Sequence, residues 1–347
     1  MTEHRKPPEA APAPPDGAAA RKTPPFRRRV LRPGVITERR RGRRVTDLRV
    51  ASPGLDDVAT VRLLTPDGWR RGSSRTADAR SRTAAARWPV LLLLPGADGE
   101  CTDWTELYGI AELPQLRDVL VVMPSMPLYG FCTDWWNGGA GGPPAVETFH
   151  LDELLPLLER DYGAGTRRVV AGQSQGGFGA LSYAARRPGL FRAVASFSGF
   201  VHPLRHTRAV RTGCAYLGID WRDVWGDPVR DRANWLAHAP YHLAERLRGS
   251  PVYLSCGDGR AGPLDRPDDE PEEDIPGLED PDDPFPEDAV SPFEVIMRDE
   301  NEALADRLHT AGVSVRTHFT SGTHSPPYWG RELRRALPTL LRELRGA

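Results

Sequence analysis

The chain has 347 residues, enough for one large α/β domain with tails or for two small domains. Hydrophobic residues make up 39% and charged residues 27%, so a core can form while part of the chain stays strongly polar. A formal net charge of −1 gives no molecule-wide field of the kind that draws nucleic acid, and no stretch reaches the ~18 apolar residues of a membrane span.

Residues 1–44 read as a disordered, basic, Pro/Arg-rich tail, with Arg27-Arg28-Arg29 and Arg39-Arg40-Arg41 as its charge clusters. Such a tail is a solvated segment, or a contact for an acidic surface. It has no apolar run of the secretory kind, so the expected location is the cytoplasm with reduced thiols, unless the true start site lies elsewhere. Order is expected from Val45. Val45–Val50 and Ala59–Leu64 read as strands joined at Ser52-Pro53-Gly54. Residues 71–87 suit a solvated loop or hairpin.

From Val90 the pattern changes. Val90–Leu94 is a continuous apolar run ended by Pro95-Gly96, as expected of a strand buried on both faces of a parallel sheet. Similar runs follow at Val119–Met123, Val169–Ala171, Phe191–Phe197, Pro251–Cys256 and Val313–Phe319. Helical segments are expected at Val146–Tyr162, Gly177–Arg187 and Ser291–Ala311. This alternation predicts a doubly wound, mostly parallel sheet with helices on both faces, its chemistry in loops at the carboxyl ends of the strands. Residues 265–288 break the pattern with thirteen Asp or Glu and six Pro. We read a disordered acidic insertion at 260–290 within one domain that spans 45–347.

The most informative stretch is Val169 to Gly177, in which a strand runs into Gly172-Gln173-Ser174-Gln175-Gly176 and then a helix. This Gly-x-Ser-x-Gly turn between strand and helix is a nucleophile elbow. It exposes the serine Oγ at a helix N-terminus, where the Gln175 N–H can donate to an oxyanion. A hydroxyl needs a base. His324, in the loop Gly322-Thr323-His324-Ser325 after the last strand, hangs where that base belongs; His150, His202, His206, His238, His242 and His318 have poorer positions. The second oxyanion donor is expected from Leu94-Pro95-Gly96-Ala97, as the N–H of Ala97.

With Ser174 and His324 placed, the chain resembles the α/β-hydrolase esterase family that contains esterase D-type hydrolases and antigen-85-type mycolyltransferases. The resemblance rests on Ser52-Pro53-Gly54, Leu94-Pro95-Gly96, Tyr129 to Trp135, Glu147-Thr148-Phe149, Gly172 to Gly177, Ser198-Gly199-Phe200, Trp225 to Pro228, Cys256 to Gly259, Gly322 to Ser325 and Tyr328-Trp329-Gly330. It implies the α/β-hydrolase fold and an acyl-enzyme on serine. Two departures bear on acceptor binding. Pro95 and Asp98 stand where the mycolyltransferases carry the Asp and Arg that help hold trehalose, and Pro326 stands where they carry a Trp. Trehalose transfer is therefore not expected.

Two carboxylates compete to orient His324. Phe293-Glu294-Val295-Ile296-Met297-Arg298 resembles the mycolyltransferase segment that carries the catalytic Glu. Yet Ser291-Pro292-Phe293-Glu294 also reads as a helix capping box, in which Glu294 needs no catalytic role. Asp258 ends a strand where many α/β-hydrolases place their acid, and Asp265 is a further alternative. Cys-Thr-Asp-Trp occurs at Cys101–Trp104 and again at Cys132–Trp135. Cys101 and Cys132 are either two free thiols or a disulfide. Trp104, Trp135, Trp136 and Trp329 either wall a substrate pocket or pack the core. The four cysteines form no CxxC pair, and neither a P-loop nor a dinucleotide fingerprint appears, so no metal or other cofactor is expected. The expected activity is hydrolysis of small acyl esters. Acyl transfer to an alcohol is the alternative, and a noncatalytic binding module the third reading.

Overall fold

The computed structural model describes residues 32–71, 87–97, 99–126, 130–272 and 275–346. The tail up to residue 31 and most of the loop read at 71–87 lie outside them. Strands β1 (Gly34–Arg40), β2 (Val45–Ser52), β3 (Asp57–Leu64), β4 (Trp88–Leu94), β5 (Leu120–Pro124), β6 (Ala164–Gln173), β7 (Val194–Phe197), β8 (Val252–Cys256) and β9 (Val315–Phe319) form one sheet, in the order β1-β2-β3-β5-β4-β6-β7-β8-β9. β1, β2, β3 and β5 pair antiparallel in succession, and β5, β4, β6, β7, β8 and β9 pair parallel. The parallel strands must be covered on both faces, which explains why Val90, Leu91, Leu92, Leu93 and Leu94 are all fully buried.

The expected start of order at Val45 is corrected by β1, whose Gly34–Arg40 pairs with β2. An edge strand needs only one partner and keeps its outer face in water, so a basic sequence such as Glu38-Arg39-Arg40 suits it. Composition alone reads that stretch as tail.

The helices are α1 (Asp103–Glu106), α2 (Val146–Thr148), α3 (Leu155–Asp161), α4 (Gln175–Arg186), α5 (Thr207–Tyr216), α6 (Trp221–Trp225), α7 (Arg232–His238), α8 (Pro292–Thr310) and α9 (Pro326–Arg345). The helix expected at Val146–Tyr162 is interrupted by a π-helical turn, Phe149–Leu154, between α2 and α3. On one face of the sheet, Val90, Leu92 and Leu94 pack with α3, α4 and α8 through Leu158, Leu181, Leu304 and Leu308. On the other, Leu91 and Leu93 pack with Trp104 and α9. The sequence reading assigned no helix to α9. Its signal is nonetheless clean, because Leu333, Ala336, Leu337, Leu340, Leu341 and Leu344 recur at helical spacing and are all buried. A third apolar cluster, with Phe131, Phe178, Phe200, Val210, Trp225, Trp235 and Met297, joins α4 to α5, α6, α7 and α8.

Among its described residues, the acidic segment carries no regular strand or helix, yet it is not an unpacked loop. Ile275 and Leu278 are buried in that third cluster. The reading of 260–290 as disordered is corrected on this point. Two apolar side chains in a charged stretch are invisible to composition, yet they suffice when a neighbouring groove receives them.

Candidate active site

Strand order reverses at β4, with β5 on one side and β6 on the other, and such a switch point opens a crevice at the carboxyl ends of the strands. Ser174 stands there, between β6 and α4. Its backbone is held at φ 53° and ψ −123°, a strained conformation for a residue with a Cβ. The surroundings dictate the neighbouring glycines. A Cβ on Gly172 would lie 2.2 Å from the Gly176 carbonyl oxygen, and one on Gly176 would lie 2.3 Å from that of Pro95. The turn is therefore too tight for any side chain at either position, and the contact with Pro95 brings the loop after β4 against the elbow.

His324 Nε2 lies 3.0 Å from Ser174 Oγ, and His324 Nδ1 lies 2.6 Å from Glu294 Oε2. Glu294 is completely buried in the first turn of α8. Its other oxygen, Oε1, accepts hydrogen bonds from Ser198 Oγ at 2.6 Å and from the Gly257 N–H at 2.6 Å, with Cys256 Sγ at 3.2 Å. The buried carboxylate is thus compensated by several donors, the condition for keeping a charge in the interior. Burial pushes the Cys256 thiol far up, and the Glu294 charge adds to this, so the sulfur stays protonated as a donor. For His324, burial alone would lower the pKa. The hydrogen bond and charge of Glu294 outweigh it, and the net shift is upward from the ordinary imidazole value.

The capping-box alternative for Glu294 is not realised. Its carboxylate points to His324, while the Ser291 N–H donates to the Gly259 carbonyl. Ser291 Oγ donates to Glu272 Oε2 and accepts the His324 N–H. Glu272 also accepts the Phe293 N–H at 3.1 Å, so a residue of the acidic segment caps this helix. Asp258 accepts hydrogen bonds from Ser321 Oγ and the Gly322 N–H, and thereby braces the loop that carries His324. Asp265 accepts from Thr323 Oγ1 at 2.6 Å and Tyr328 Oη at 2.7 Å, on the same loop and the helix after it. Neither carboxylate hydrogen-bonds to the His324 ring.

A cavity of about 270 Å³ opens beside the pair. Ala97, Gln175, Ser174 and His324 form one part of its wall, and Phe131, Phe200, Val210, Ile275, Phe293 and Met297 belong to the apolar remainder. Gln175 opens α4, so its N–H has no partner within the helix. The tryptophans expected at the pocket are elsewhere. Trp104 is fully buried under the opposite face of the sheet, in tilted contact with Tyr108. Trp135 packs against the third cluster. Trp329 stands behind His324, edge-on at 4.8 Å, and donates its Nε1–H to Ser198 Oγ. A large aromatic residue near a strand end fits core and pocket equally, and only the tertiary packing separates them. Cys101 and Cys132 are free thiols, each buried. Asp98 and Tyr129 lie outside the described residues. A larger groove, about 1130 Å³, lies along α5 between Arg208 and Asp280 and does not include Ser174 or His324.

The sequence reading assigned Ser198 and Ser291 no part in the site and did not single out Glu272. Ser198 stood only within the motif Ser198-Gly199-Phe200; the structure holds it at φ 48°, a conformation kept when the side chain is held, here by Glu294 and Trp329.

A mostly parallel sheet flanked by helices, with a strained serine turn at its switch point, defines an α/β-hydrolase. The Esterase family model, described as "Putative esterase", matches residues 59–340, and the chain belongs to that family. An esterase of Mycobacterium tuberculosis is 32% identical over 201 residues, covering 55% of this chain and 43% of the relative. The match thus spans less than half the length of that relative. The diacylglycerol acyltransferase/mycolyltransferase Ag85B of Mycolicibacterium smegmatis is 29% identical over 238 residues, covering 65% of this chain and 67% of the relative. Among solved structures, MPT51 of Mycobacterium tuberculosis matches with a TM-score of 0.60 at 20% identity, covering 86% of this chain and 98% of that one. Among the described residues, no helix is long and apolar enough to cross a membrane.

Proposed function

We propose that the chain is a serine carboxylic-ester hydrolase working through an acyl-enzyme on Ser174. The observation that carries this reading is the row Glu294–His324–Ser174, with contacts of 2.6 and 3.0 Å. Ser174 Oγ attacks the ester carbonyl carbon as His324 Nε2 takes the hydroxyl proton. Glu294 accepts the Nδ1–H, which fixes the tautomer that leaves Nε2 free, and its charge stabilises the imidazolium that forms. The Ala97 and Gln175 N–H groups face the developing oxyanion. As the tetrahedral intermediate collapses, the C–O bond to the alcohol breaks and His324 returns its proton to the leaving oxygen. Water, deprotonated by the same nitrogen, then releases the acid and restores Ser174. The cavity falls just below the range of drug-sized pockets, which favours short to medium acyl groups.

Transfer of the acyl group to an alcohol uses the same residues, and the likeness to Ag85B supports it as the second reading. The two differ only in which hydroxyl enters. A panel of p-nitrophenyl esters of increasing length, assayed with and without an alcohol acceptor, tests both. Hydrolysis predicts acid as the product, and transfer predicts a new ester. Ser174→Ala should lower turnover by several orders of magnitude with the fold intact. It should also abolish labelling by a fluorophosphonate probe; labelling that persists in this variant removes Ser174 as the nucleophile.

A further inference from the structure

The acidic segment touches the active site at three places. At its start, Asp265 holds Thr323 and Tyr328 on either side of His324. Glu272 then caps α8 and, through Ser291 Oγ, reaches the backbone N–H of His324. Beyond these, Ile275 lines the cavity that opens on Ser174 and packs in the cluster that includes Val210, Cys214 and Met297. Outside the cavity, Thr212 Oγ1 donates to the Gly277 carbonyl at 3.3 Å, and Arg208 lies 3.4 Å from Asp280, so the segment is tied to α5 as well. A run this acidic has little reason to fold by itself. Its apolar side chains and its anchoring carboxylates are spent on one place, the wall between α5, α8 and the His324 loop.

From this placement we infer that the acidic segment is a working part of the pocket and that Ile275 limits the length of the acyl chain accepted. The inference rests on the serine-esterase reading and adds to it the substrate class, an uncharged aliphatic acyl group. The walls that α5 and α8 supply are helical and fixed by packing in the third cluster. The Ile275 side chain comes from a loop and lines the same cavity. Shortening it lengthens the room for an acyl tail, and enlarging it fills that room.

The test compares the full chain with Ile275→Ala and Ile275→Trp on p-nitrophenyl acetate, butyrate, octanoate and dodecanoate. The quantity read is the ratio of kcat/KM for octanoate to that for acetate. Since one methylene in an apolar pocket changes selectivity roughly 10- to 200-fold, we expect the ratio to rise about tenfold in Ile275→Ala and to fall by as much in Ile275→Trp. A merely structural role would scale all four esters together. Ratios that stay put, or move the same way in both variants, overturn the inference. Fluorophosphonate labelling of Ser174 separates the two failures. An unmodified chain that is labelled and active, with ratios that do not move, sinks the Ile275 assignment alone. One that is neither labelled nor active sinks the esterase reading and this inference with it.

Discussion

At the scale of single residues, the roles of two carboxylates separate by what each one touches. Glu294 bonds to His324 Nδ1, and Asp258 bonds to Ser321 and Gly322. Glu294→Gln should therefore lower turnover by ~10⁴, the loss seen when a comparable triad keeps its geometry but loses the charge. Asp258→Asn should cost far less, because the amide oxygen still accepts the Gly322 N–H and the NH2 can donate to the Ser321 hydroxyl oxygen. Steady-state rates of the two purified variants decide this, and equal losses would remove Glu294 from the special role. The acidic limb of the pH–rate profile gives a second readout. In the proposed mechanism His324 must be neutral to accept the Ser174 proton, so activity should fall as pH drops through its pKa, which stands above the ordinary 6.5. In Glu294→Gln burial acts without the opposing charge, and the limb should move to lower pH. Ser174 and His324 were legible in the sequence because each has a local signature, a strand-to-helix turn for one and the loop after the last strand for the other. Glu294 was only half legible: a Glu three residues into a helix reads equally as a cap, and the choice depends on a histidine 30 positions away.

At the scale of elements, the buried parallel strands were legible because burial on both faces leaves continuous apolar runs, as in Val90–Leu94. Edges were less so. β7 begins at Val194 and β9 at Val315, later than Phe191 and Val313, since the ladder stops where the partner strand stops. The helices α5, α6 and α7 escaped notice because their apolar residues pack into a cap over the strand ends rather than onto the sheet. The cavity wall was illegible for the same reason, being assembled from loops, α5, α8 and the acidic segment. The elbow is the element whose sequence admits least change. Gly172→Ala would put a methyl 2.2 Å from the Gly176 carbonyl oxygen, a backbone atom that cannot swing away as a side chain can. We expect a destabilisation of about 1–3 kcal/mol or more, and a loss of turnover larger than the unfolded fraction explains, since Ser174 shifts with the turn. Chemical denaturation paired with kcat measures both. A variant with unchanged stability and rate would mean that the turn is looser than its contacts indicate.

At the scale of the whole molecule, buried groups set how stability follows pH. Glu300 on α8 is completely buried and accepts the His202 N–H at 2.7 Å. Burial raises its carboxyl pKa to about 8, against the pull of the N–H bonds from His202 and Val201 and of Arg205, with Asp299 pushing the same way as burial. The unfolded chain loses this proton near pH 4.5 and the folded one near 8. Between those values the folded state holds a proton that the unfolded state lacks, so raising the pH weakens the fold. Buried histidines act in the opposite sense. Burial lowers His150 to about 3 and His202 and His238 to about 4. Unfolding lets them bind protons below pH 6.5, and their contribution to stability grows as pH rises to that point and then levels off. Above pH 6.5 these three histidines are silent, and Glu300 is joined by His324, whose raised pKa makes the folded state hold a proton that the unfolded state has lost. The buried thiols of Cys132, Cys214 and Cys256, all pushed upward by burial, join only near pH 9, where the unfolded thiols ionise. Stability should therefore peak near pH 6.5 and fall by pH 8, with Glu300 alone contributing about 2 kcal/mol at about 1.4 kcal/mol per unit. Glu300→Gln keeps an acceptor for the His202 N–H but binds no proton. Urea unfolding of this variant at pH 6.5, 7.2 and 8 should show a clearly shallower decline than the unmodified chain, with the His324 part remaining. A decline of equal slope in both would place its origin outside Glu300.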